Sequence, residues 1–408
     1  MKVLLVAEVS IAEVIGGAER VLREQALGLK ARGHTVEVLT RRPASAGTPQ
    51  VEVGGVTEHR YDVTRTSSVS FFLSSVRNAR RVRLALEQGG MPDVLVVHQA
   101  LPGLVFLRGP RRPPLVYVCH SLAHEEFETR HHVPADPSGR VRHRMLALVR
   151  RWTERAVVSR AERVVVLSDF MRRRLIDCHR ADAERIRLIP GAVDTEIFAP
   201  CLDRRSIRAS LGLTEEEFVL LTVRNLEPRM GVDTLVHALV RLRREIPRIR
   251  LLIGGRGSLR ALLELQVKQL GLDGCIRLMG FVPEDRLPDY YRAADLFVLP
   301  TAQLEGFGLV TVEALASGTP VFGTPIGATE EILGKLDHSL VAKGADSESL
   351  AVGIAALYRR FTTDPTWRVR LVEEGRALVL RDYTWARHCE QLETVLSEVI
   401  SNPSKRNS

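Results

Sequence analysis

Apolar residues in the first half of the chain fall into short, nearly continuous runs. The runs are KVLLVA (2–7), TVEVL (35–39), VLVVH (94–98) and PLVYVCH (114–120). Such runs are typical of parallel strands that are buried on both faces. After the first run, a Gly16-Gly17 loop precedes residues 18–34, where apolar positions recur at helical spacing. The first half is therefore predicted to be an α/β domain with a parallel sheet.

The same alternation restarts in the second half. Its predicted strands are FVLLTV (218–223), RLLIGG (250–255), CIRLMG (275–280), ADLFVLP (294–300), TPVFGT (319–324) and SLVA (339–342). Helical spacing separates the first three, in residues 232–246 and 258–272. The proline-bracketed stretch PGAVDTEIFAP (190–200) reads as a linker. We therefore predict two doubly wound, Rossmann-like domains, residues 1–195 and 196–383.

Composition agrees with two soluble domains. The 408 residues are 45% hydrophobic and 26% charged, and two cores are expected at this length. The five cysteines are scattered without a C-x-x-C pair, which predicts neither a disulfide framework nor a zinc site and favours a reducing cytoplasm. The N-terminal apolar run stops at Glu8, too short for a signal-peptide core or a membrane span. Residues 402–408 are expected to be disordered.

The net charge of +9 is unevenly distributed, because residues 1–190 hold 31 Lys and Arg against 20 Asp and Glu. The excess is concentrated in RVRHRMLALVRRWTERAVVSR (140–160) and MRRRL (171–175). One interpretation is a solvated helix face. The other is a patch that attracts anionic lipid headgroups or an anionic acceptor. Nucleic acid is not expected as a partner, because no recognised binding motif accompanies the charge.

Two acids frame a glycine-rich stretch, EGFGLVTVEALASGTPV (305–321). Glu305 follows a predicted strand, and a helix is predicted to begin near Gly308. The free N–H groups and the dipole of that helix suit a diphosphate. Glu313, one to two turns inside, can accept the hydroxyls of a ribose, and Glu305 those of an attached sugar. The alternative is that both glutamates merely stabilise the helix dipole.

These stretches, taken together, resemble the retaining nucleotide-sugar glycosyltransferases of glycosyltransferase family 4, which have the GT-B fold. The matches run in family order over nearly the whole chain. They are GGAER (16–20), IPGAVDTEIF (189–198), GFVPEDRLPDYYRAADLFVLPT (280–301) and the Glu305-x7-Glu313 pair. The resemblance implies that the two domains face one another across a cleft, and that the last helix, about residues 384–400, crosses back to the first domain, with Trp385 as its anchor.

The resemblance also implies the partners and their positions. The second domain would hold a UDP-, GDP- or ADP-sugar donor and the first an acceptor with a free hydroxyl. Glu313 would bind the donor ribose, Glu305 the donor sugar, and His120 would lie near that sugar. The remaining implied contacts are the main chain at Phe307, Gly308, Leu309 and Val310 for sugar and phosphates, Gly16 and Gly17 for the diphosphate, and Phe281 and Val282 for the base. HSLAHEEFETRHH (120–132) would be an acceptor-side loop.

One motif departs from the commoner family pattern. The loop after the second domain's first strand reads VRNLEPRMG (223–231), with Asn225 at the usual arginine position and Met230 at the usual lysine position. A departing diphosphate needs positive charge beside it. Arg229 is the first choice for that task and Arg224 the second. No Asp-x-Asp sequence is present to hold a divalent metal, so no metal or other cofactor is expected.

The sequence leaves the reaction partners open. The predicted activity is transfer of one sugar to an acceptor hydroxyl with retention of configuration, in glycan, glycolipid or cell-envelope biosynthesis. Lipid-linked glycans, phospholipid-type anchors and small polar molecules are all candidate acceptors, and the basic first half favours the inner membrane surface. A nucleotide-sugar epimerase on the same fold and a noncatalytic nucleotide-sugar-binding protein are the alternatives.

Overall fold

A computed structural model describes residues 1–14, 16–45, 47–108, 112–130 and 136–401. The chain forms two compact units, Met1–Gly191 with Trp385–Ser408, and Ala192–Thr384. The first boundary lies four residues before the predicted 195, and the second lies one residue after the predicted 384. The tail at 402–408, as well as His131 and His132, fall outside the described residues.

The described residues of the first unit form a sheet in the order β3-β4-β2-β1-β5-β6-β7-β8. Its strands are β1 (Lys2–Val6), β2 (Thr35–Arg41), β3 (Gln50–Val53), β4 (Val56–Tyr61), β5 (Val94–Val97), β6 (Leu115–Cys119), β7 (Arg163–Val166) and β8 (Ile186–Leu188). Only β3 is antiparallel to its neighbour. β1 pairs with β2 on one side and β5 on the other. The chain order reverses there, which makes the carboxyl ends of β1 and β5 the expected ligand edge.

The second unit has a smaller, wholly parallel sheet among its described residues, in the order β11-β10-β9-β12-β13. Its strands are β9 (Phe218–Val223), β10 (Ile249–Gly254), β11 (Ile276–Gly280), β12 (Leu296–Leu299) and β13 (Val321–Gly323). The switch point lies between β9 and β12. The predicted strand at 339–342 is wrong, because His338–Leu340 is a single 3-10 turn and Val341 makes only an isolated bridge to Gly323.

Helices connect the strands and cover both sheets. In chain order they are α1 (Gly17–Ala31), α2 (Ser68–Gln88), α3 (Ala100–Gly103), α4 (Ala123–Arg130), α5 (Pro137–Arg160), α6 (Asp169–His179), α7 (Arg204–Ser210), α8 (Val232–Glu245), α9 (Arg260–Gln269), α10 (Leu287–Ala293), α11 (Leu309–Ala316), α12 (Thr329–Leu333), α13 (Ser347–Thr363), α14 (Pro365–Asp382) and α15 (Trp385–Ser401). The predicted loop at 120–132 is therefore a helix over Ala123–Arg130.

Burial on both faces explains the continuous apolar runs of the first sheet. Leu4 and Leu95 contribute to one core, whereas Val3 and Val94 contribute to the core on the opposite face. Successive strand residues point to opposite faces, so every position of such a strand needs an apolar side chain.

The last helix packs on the first unit, as the resemblance implied. Its Leu392 and Leu396 are fully buried in one of the two cores. His388 bonds through Nε2 to the Gln25 side chain at 2.9 Å and through Nδ1 to the Pro190 carbonyl at 2.6 Å. Trp385, the expected anchor, is half-buried and contacts the His388 ring edge-on, so His388 is the principal polar anchor of α15.

A buried ion pair orders the loop that follows β1. Glu58, on β4, is fully buried and pairs with Arg60 at 2.7 Å. The same carboxylate accepts hydrogen bonds from the Ser10 hydroxyl, the Ile11 backbone N–H and the Thr40 hydroxyl. The chain leading towards Gly16 is thus tied to the sheet by a charged group whose hydrogen-bonding capacity is filled.

Candidate functional site

Glu305 lies at the ligand edge of the second sheet, in the loop between β12 and α11. It is 7% exposed. The loop is held by backbone contacts: the Thr324 hydroxyl donates to the Thr301 carbonyl at 2.6 Å, and the Ala328 N–H donates to the Glu305 carbonyl at 3.0 Å. Gly327 is required beside it, because a Cβ there would lie 2.1 Å from the Glu305 carbonyl oxygen. The carboxylate is therefore presented by a rigid backbone.

Arg224 contacts that carboxylate directly. Its Nη2 lies 2.6 Å from Glu305 Oε2, and the Thr301 hydroxyl donates to the same oxygen at 2.9 Å. The two charged side chains are only 6% and 9% exposed. Arg224 Nε is buried and has no hydrogen-bond partner among the described residues. A buried, charged donor without a partner is costly, which is a feature expected where a ligand supplies the missing acceptor.

The structure assigns different tasks to the two candidate arginines. Arg229 Nη1 donates to the Leu304 carbonyl at 3.0 Å, and the Arg229 carbonyl accepts from the N–H groups of Ala302 and Gln303. Arg229 therefore fastens the loop, whereas Arg224 reaches the acid. Asn225, at the usual arginine position, is exposed.

The N-terminus of α11 follows three residues after Glu305. Gly308 is its N-cap at φ 83° and provides no side chain to cap the helix. The first backbone N–H groups of a helix, here around Leu309 and Val310, lack intrahelical acceptors. Thr311 is fully buried, and its hydroxyl has no partner among the described residues. Phe307 is buried and packs edge-on against Tyr383 at 5.7 Å. The arrangement offers several donors to an anion.

Glu313 lies inside α11 and is 3% exposed. The Tyr291 hydroxyl, on α10, donates to Glu313 Oε2 at 2.8 Å. The sequence identified Glu313 but not this tyrosine, which fixes the orientation of the carboxylate.

Phe281 and Val282 follow β11 at the same edge of the sheet. Gly280 precedes them at φ 74°. Phe281 is 41% exposed, and the Arg256 guanidinium lies over its ring at 5.0 Å. Val282 is buried against Gly254, where a Cβ would approach its methyl group to 2.9 Å. Main-chain groups of this segment are thus held close to the ends of β10 and β11.

In the first unit, Gly16 is the N-cap of α1 and Gly17 is the first residue of that helix, not a loop residue as predicted. The carboxylate of Glu19 accepts from the Gly16 backbone N–H. Burial raises the pKa of Glu19, although the N–H groups of Glu19 and Gly16 oppose the rise. The helix N-terminus therefore already attracts an acid of its own chain.

His120 directly follows β6, is half-buried, and forms a pair with His98, which directly follows β5. His98 Nδ1 and His120 Nε2 are 2.9 Å apart, and the rings stack at 5.2 Å. Burial lowers the pKa of His120 to about 4, and it lowers the pKa of His98 well below its ordinary value. Both rings are therefore neutral near pH 7. His98 was not predicted as a site residue, although it ends the apolar run VLVVH as His120 ends PLVYVCH.

These depressed pKa values predict an acid-sensitive first unit. Burial also lowers the pKa of His388 to about 4, so these histidines bind protons more readily when unfolded. The first unit should lose stability as the pH falls from about 6.5 towards 4. Denaturant unfolding at pH 7 and pH 5, followed by the fluorescence of Trp385 in a background with Trp152→Phe and Trp367→Phe, measures the loss. His388→Gln should reduce the difference, and His237→Gln, at an exposed site in the second unit, should not. An equal loss in both variants would contradict the assignment.

Three buried residues of the first unit could geometrically hold a metal ion: His124, Glu154 and His179. Their carboxylate already accepts from the Tyr117 hydroxyl at 2.9 Å, the Ala123 N–H at 3.2 Å and His179 Nε2 at 2.8 Å. These bonds, together with His124 nearby, lower the pKa of Glu154 despite its burial. The donors present satisfy the carboxylate, so the cluster fits a structural network that joins α4, α5 and α6.

Two family models and several known proteins match this chain. Residues 203–377 match the family model "Glycosyl transferases group 1", and residues 15–197 match "Glycosyltransferase Family 4". D-inositol 3-phosphate glycosyltransferase of Kineococcus radiotolerans is 32% identical over 381 residues, covering 87% of this chain and 84% of the relative. The protein of the same name from Mycobacterium tuberculosis is 31% identical, covering 79% of this chain and 68% of the relative.

Solved structures agree on the fold. Sucrose-phosphate synthase from Thermosynechococcus elongatus superposes with a TM-score of 0.83 at 23% identity, covering 98% of this chain and 100% of that one. Anabaena HepE in complex with UDP-glucose gives a TM-score of 0.74 at 19% identity, covering 98% and 100%. The predicted GT-B fold and glycosyltransferase class are confirmed, and an epimerase or a noncatalytic binder is not favoured. The chain therefore belongs to the glycosyltransferases with the GT-B fold.

Proposed function

We propose that the second unit binds a nucleoside diphosphate sugar at the edge formed by Glu305 and the N-terminus of α11, and that the enzyme transfers the sugar with retention of configuration. The observation that carries the proposal is the buried Arg224–Glu305 pair at 2.6 Å, beside a helix N-terminus without a side-chain cap. Carboxylates recognise sugar hydroxyls, whereas helix N–H groups and guanidinium groups recognise phosphate.

Positive charge at the diphosphate comes from Arg224 in this proposal, with Arg229 holding the loop. The sequence-based prediction had instead named Arg229 first and Arg224 second for the charge beside the diphosphate. The present assignment rests on the contact of Arg224 Nη2 with Glu305 Oε2 at 2.6 Å, whereas Arg229 Nη1 donates to the Leu304 carbonyl. Negative charge builds on the diphosphate oxygens as the glycosidic bond breaks, and a fixed guanidinium stabilises that charge without reorganising. The proposal needs no metal or other cofactor for this task.

Glu313, oriented by Tyr291, binds the ribose, and the main chain at Phe281 and Val282 lies beside the base. His120 is neutral near pH 7 and can exchange hydrogen bonds with a sugar hydroxyl without adding a charge. In retention, the departing phosphate takes the acceptor's proton on the face from which it leaves, so no covalent enzyme intermediate is required.

The acceptor is a hydroxyl compound, and the relatives suggest the first one to test. The two relatives are named for D-inositol 3-phosphate, and the basic first unit suits an acceptor that carries a phosphate. UDP-glucose, the compound bound to HepE, is the first donor to test. Product analysis by NMR should show the anomeric configuration of the donor. An inverted product would contradict retention while leaving the transferase class intact.

Donor binding is measured by a thermal-shift screen of UDP, GDP, ADP and their sugars. One base should raise Tm by about 5 °C at a hundredfold excess over Kd, because a ligand that binds only the folded state stabilises it by about 2.7 kcal/mol. Glu313→Gln should abolish most of the shift, because the ribose loses its acceptor. Glu330→Gln, at an exposed site in the same unit, should retain it. An unchanged rise in Tm in Glu313→Gln would contradict the proposal that Glu313 binds the ribose.

We also propose a peripheral contact between the first unit and an anionic membrane, at the inner face. The arginine-rich stretch 140–160 supports it. Among the described residues, no helix has the length and apolar character needed to cross a membrane.

A further inference from the structure

We infer that α5 is the membrane-docking element, and that it lies along an anionic lipid surface with a defined apolar stripe facing the acyl chains. This inference rests on the peripheral contact proposed above and gives it a location. It does not depend on the donor site, which is in the other unit.

The first observation is an exposed apolar stripe. Val141, Met145, Leu148 and Trp152 are separated by four, three and four residues, so they lie on one line along the helix. Their exposed fractions are 59%, 60%, 62% and 62%. Scattered apolar residues are ordinary on a protein surface, whereas four aligned large ones mark a surface that meets a partner. The stripe extends over about 16 Å of helix.

The second observation is the charge beside the stripe. α5 contains seven arginines and a single acid, Glu154, which is fully buried among Tyr117 and His179. All the exposed charged side chains of α5 are therefore cationic. At 3.6 residues per turn, Arg144, Arg151 and Arg155 border one side of the stripe, and Arg142 and Arg160 border the other. Two of the arginines also have contacts within the unit: Arg150 stacks on Phe127 at 4.1 Å, and Arg151 Nη2 donates to the Cys178 carbonyl at 3.0 Å.

An anionic bilayer fits both observations better than a protein partner does. Apolar side chains enter the acyl boundary while flanking guanidinium groups reach lipid phosphates, and a tryptophan prefers this interface. The opposite face of α5 is buried through Ala147, Val157 and Val158, so the helix is anchored in the unit and presents only one face. A helix with one free face lies parallel to the surface and does not insert across it.

Co-sedimentation tests the inference, with vesicles of equal phosphatidylglycerol and phosphatidylcholine compared with phosphatidylcholine alone. Wild-type protein should bind the anionic vesicles, and binding should weaken between 0.1 and 0.5 M salt. The stripe variant Met145→Ser/Leu148→Ser/Trp152→Ser should bind at least about tenfold more weakly, and so should Arg142→Gln/Arg144→Gln/Arg155→Gln. The first variant removes apolar contact and the second removes charge.

Matched controls in the second unit make the result specific. Leu262→Ser/Leu265→Ser removes two exposed leucines of α9, and Arg205→Gln/Arg244→Gln/Arg248→Gln removes three exposed arginines. Both should bind vesicles as the wild type does. Every variant should keep the nucleotide-induced rise in Tm, which separates a failure of docking from a failure of the donor site.

Trp152 reports the depth of docking. Its emission should shift to shorter wavelength on anionic vesicles and should be quenched by lipids brominated on the acyl chain. Trp152→Phe should lose the quenching, because Trp367 is 5% exposed and Trp385 is half-buried. Equal vesicle binding by wild type and stripe variant, or no binding by the wild type, would overturn the inference. The inference would also be overturned if light scattering showed that the wild type is a dimer and the stripe variant a monomer, with no vesicle binding.

Discussion

Replacing Glu305 with Gln is expected to lower kcat about a hundredfold to a thousandfold. The carboxylate is buried, and it is the ion-pair partner of Arg224 at 2.6 Å. Gln keeps the size and one acceptor oxygen but removes the negative charge, so the guanidinium is left buried without its counter-charge. Under the proposed function, the sugar then loses its charged acceptor and the diphosphate faces a displaced arginine. Initial rates with UDP-glucose and D-inositol 3-phosphate, or with the pair that the screens identify, measure the loss.

A double-mutant cycle with Arg224→Gln shows whether the two residues act together. We expect the double variant to be no slower than the slower single variant, because each substitution already disables the pair. Glu330→Gln should stay within about twofold of wild-type kcat, because Glu330 is exposed. Full activity in Glu305→Gln would show that the ion pair has no part in the reaction. Losses of kcat that multiply in the double variant would show that the two residues act independently.

Most strands that are apolar on both faces were predicted from the sequence, whereas β3 and β4, which are not, were missed. β3 lies at the sheet edge with alternating exposed residues, and β4 carries the buried Glu58–Arg60 pair within it. Neither therefore has a continuous apolar run. β8 has three residues, one of them an arginine, which is too few for a period to be distinguished, whereas β7, also missed, is as long as the predicted β5. The run at 339–342 was equally short, and there the same ambiguity gave a strand that does not form.

Those site residues whose position depends only on the order of strand, loop and helix could be predicted from the sequence. Glu305 and Glu313 are such positions, because a helix that follows a parallel strand starts at the ligand edge. The choice between Arg224 and Arg229 was not accessible. It depends on a 3-10 turn at Pro228–Met230 and on Gly231, at φ 65°, where a Cβ would lie 2.0 Å from the Pro300 carbonyl oxygen. That close approach holds the loop that carries Arg229 against the segment that follows β12, where Ala302 and Gln303 donate to the Arg229 carbonyl.

Replacing Asp295 with Asn is expected to lower the free energy of unfolding of the second unit by about 3–5 kcal/mol. The Asp295 carboxylate is 5% exposed and accepts from Arg204 at 2.8 Å, Arg208 at 2.5 Å, Arg368 at 2.8 Å and the Val219 N–H at 2.8 Å. It thus ties α7 and α14 to the start of β12. The neutral amide leaves Arg208, which is 1% exposed, as an uncompensated buried charge.

The pH dependence of the stability lost in Asp295→Asn tests whether the loss comes from the charge of the carboxylate. Burial opposes ionisation of Asp295, but the three guanidinium groups and the Val219 N–H lower its pKa overall. A lowered folded pKa contributes stability above the unfolded value, about 3.9, and that contribution disappears as the pH falls through the folded pKa. The difference in free energy of unfolding between wild type and Asp295→Asn should therefore narrow below about pH 4.

Trp367 fluorescence, in a background with Trp152→Phe and Trp385→Phe, measures the unfolding of the second unit. Asp273→Asn, at an exposed site, should cost less than about 0.5 kcal/mol. A gap that widens on acidification would show that Asp295 stabilises the unit through packing and not through its charge.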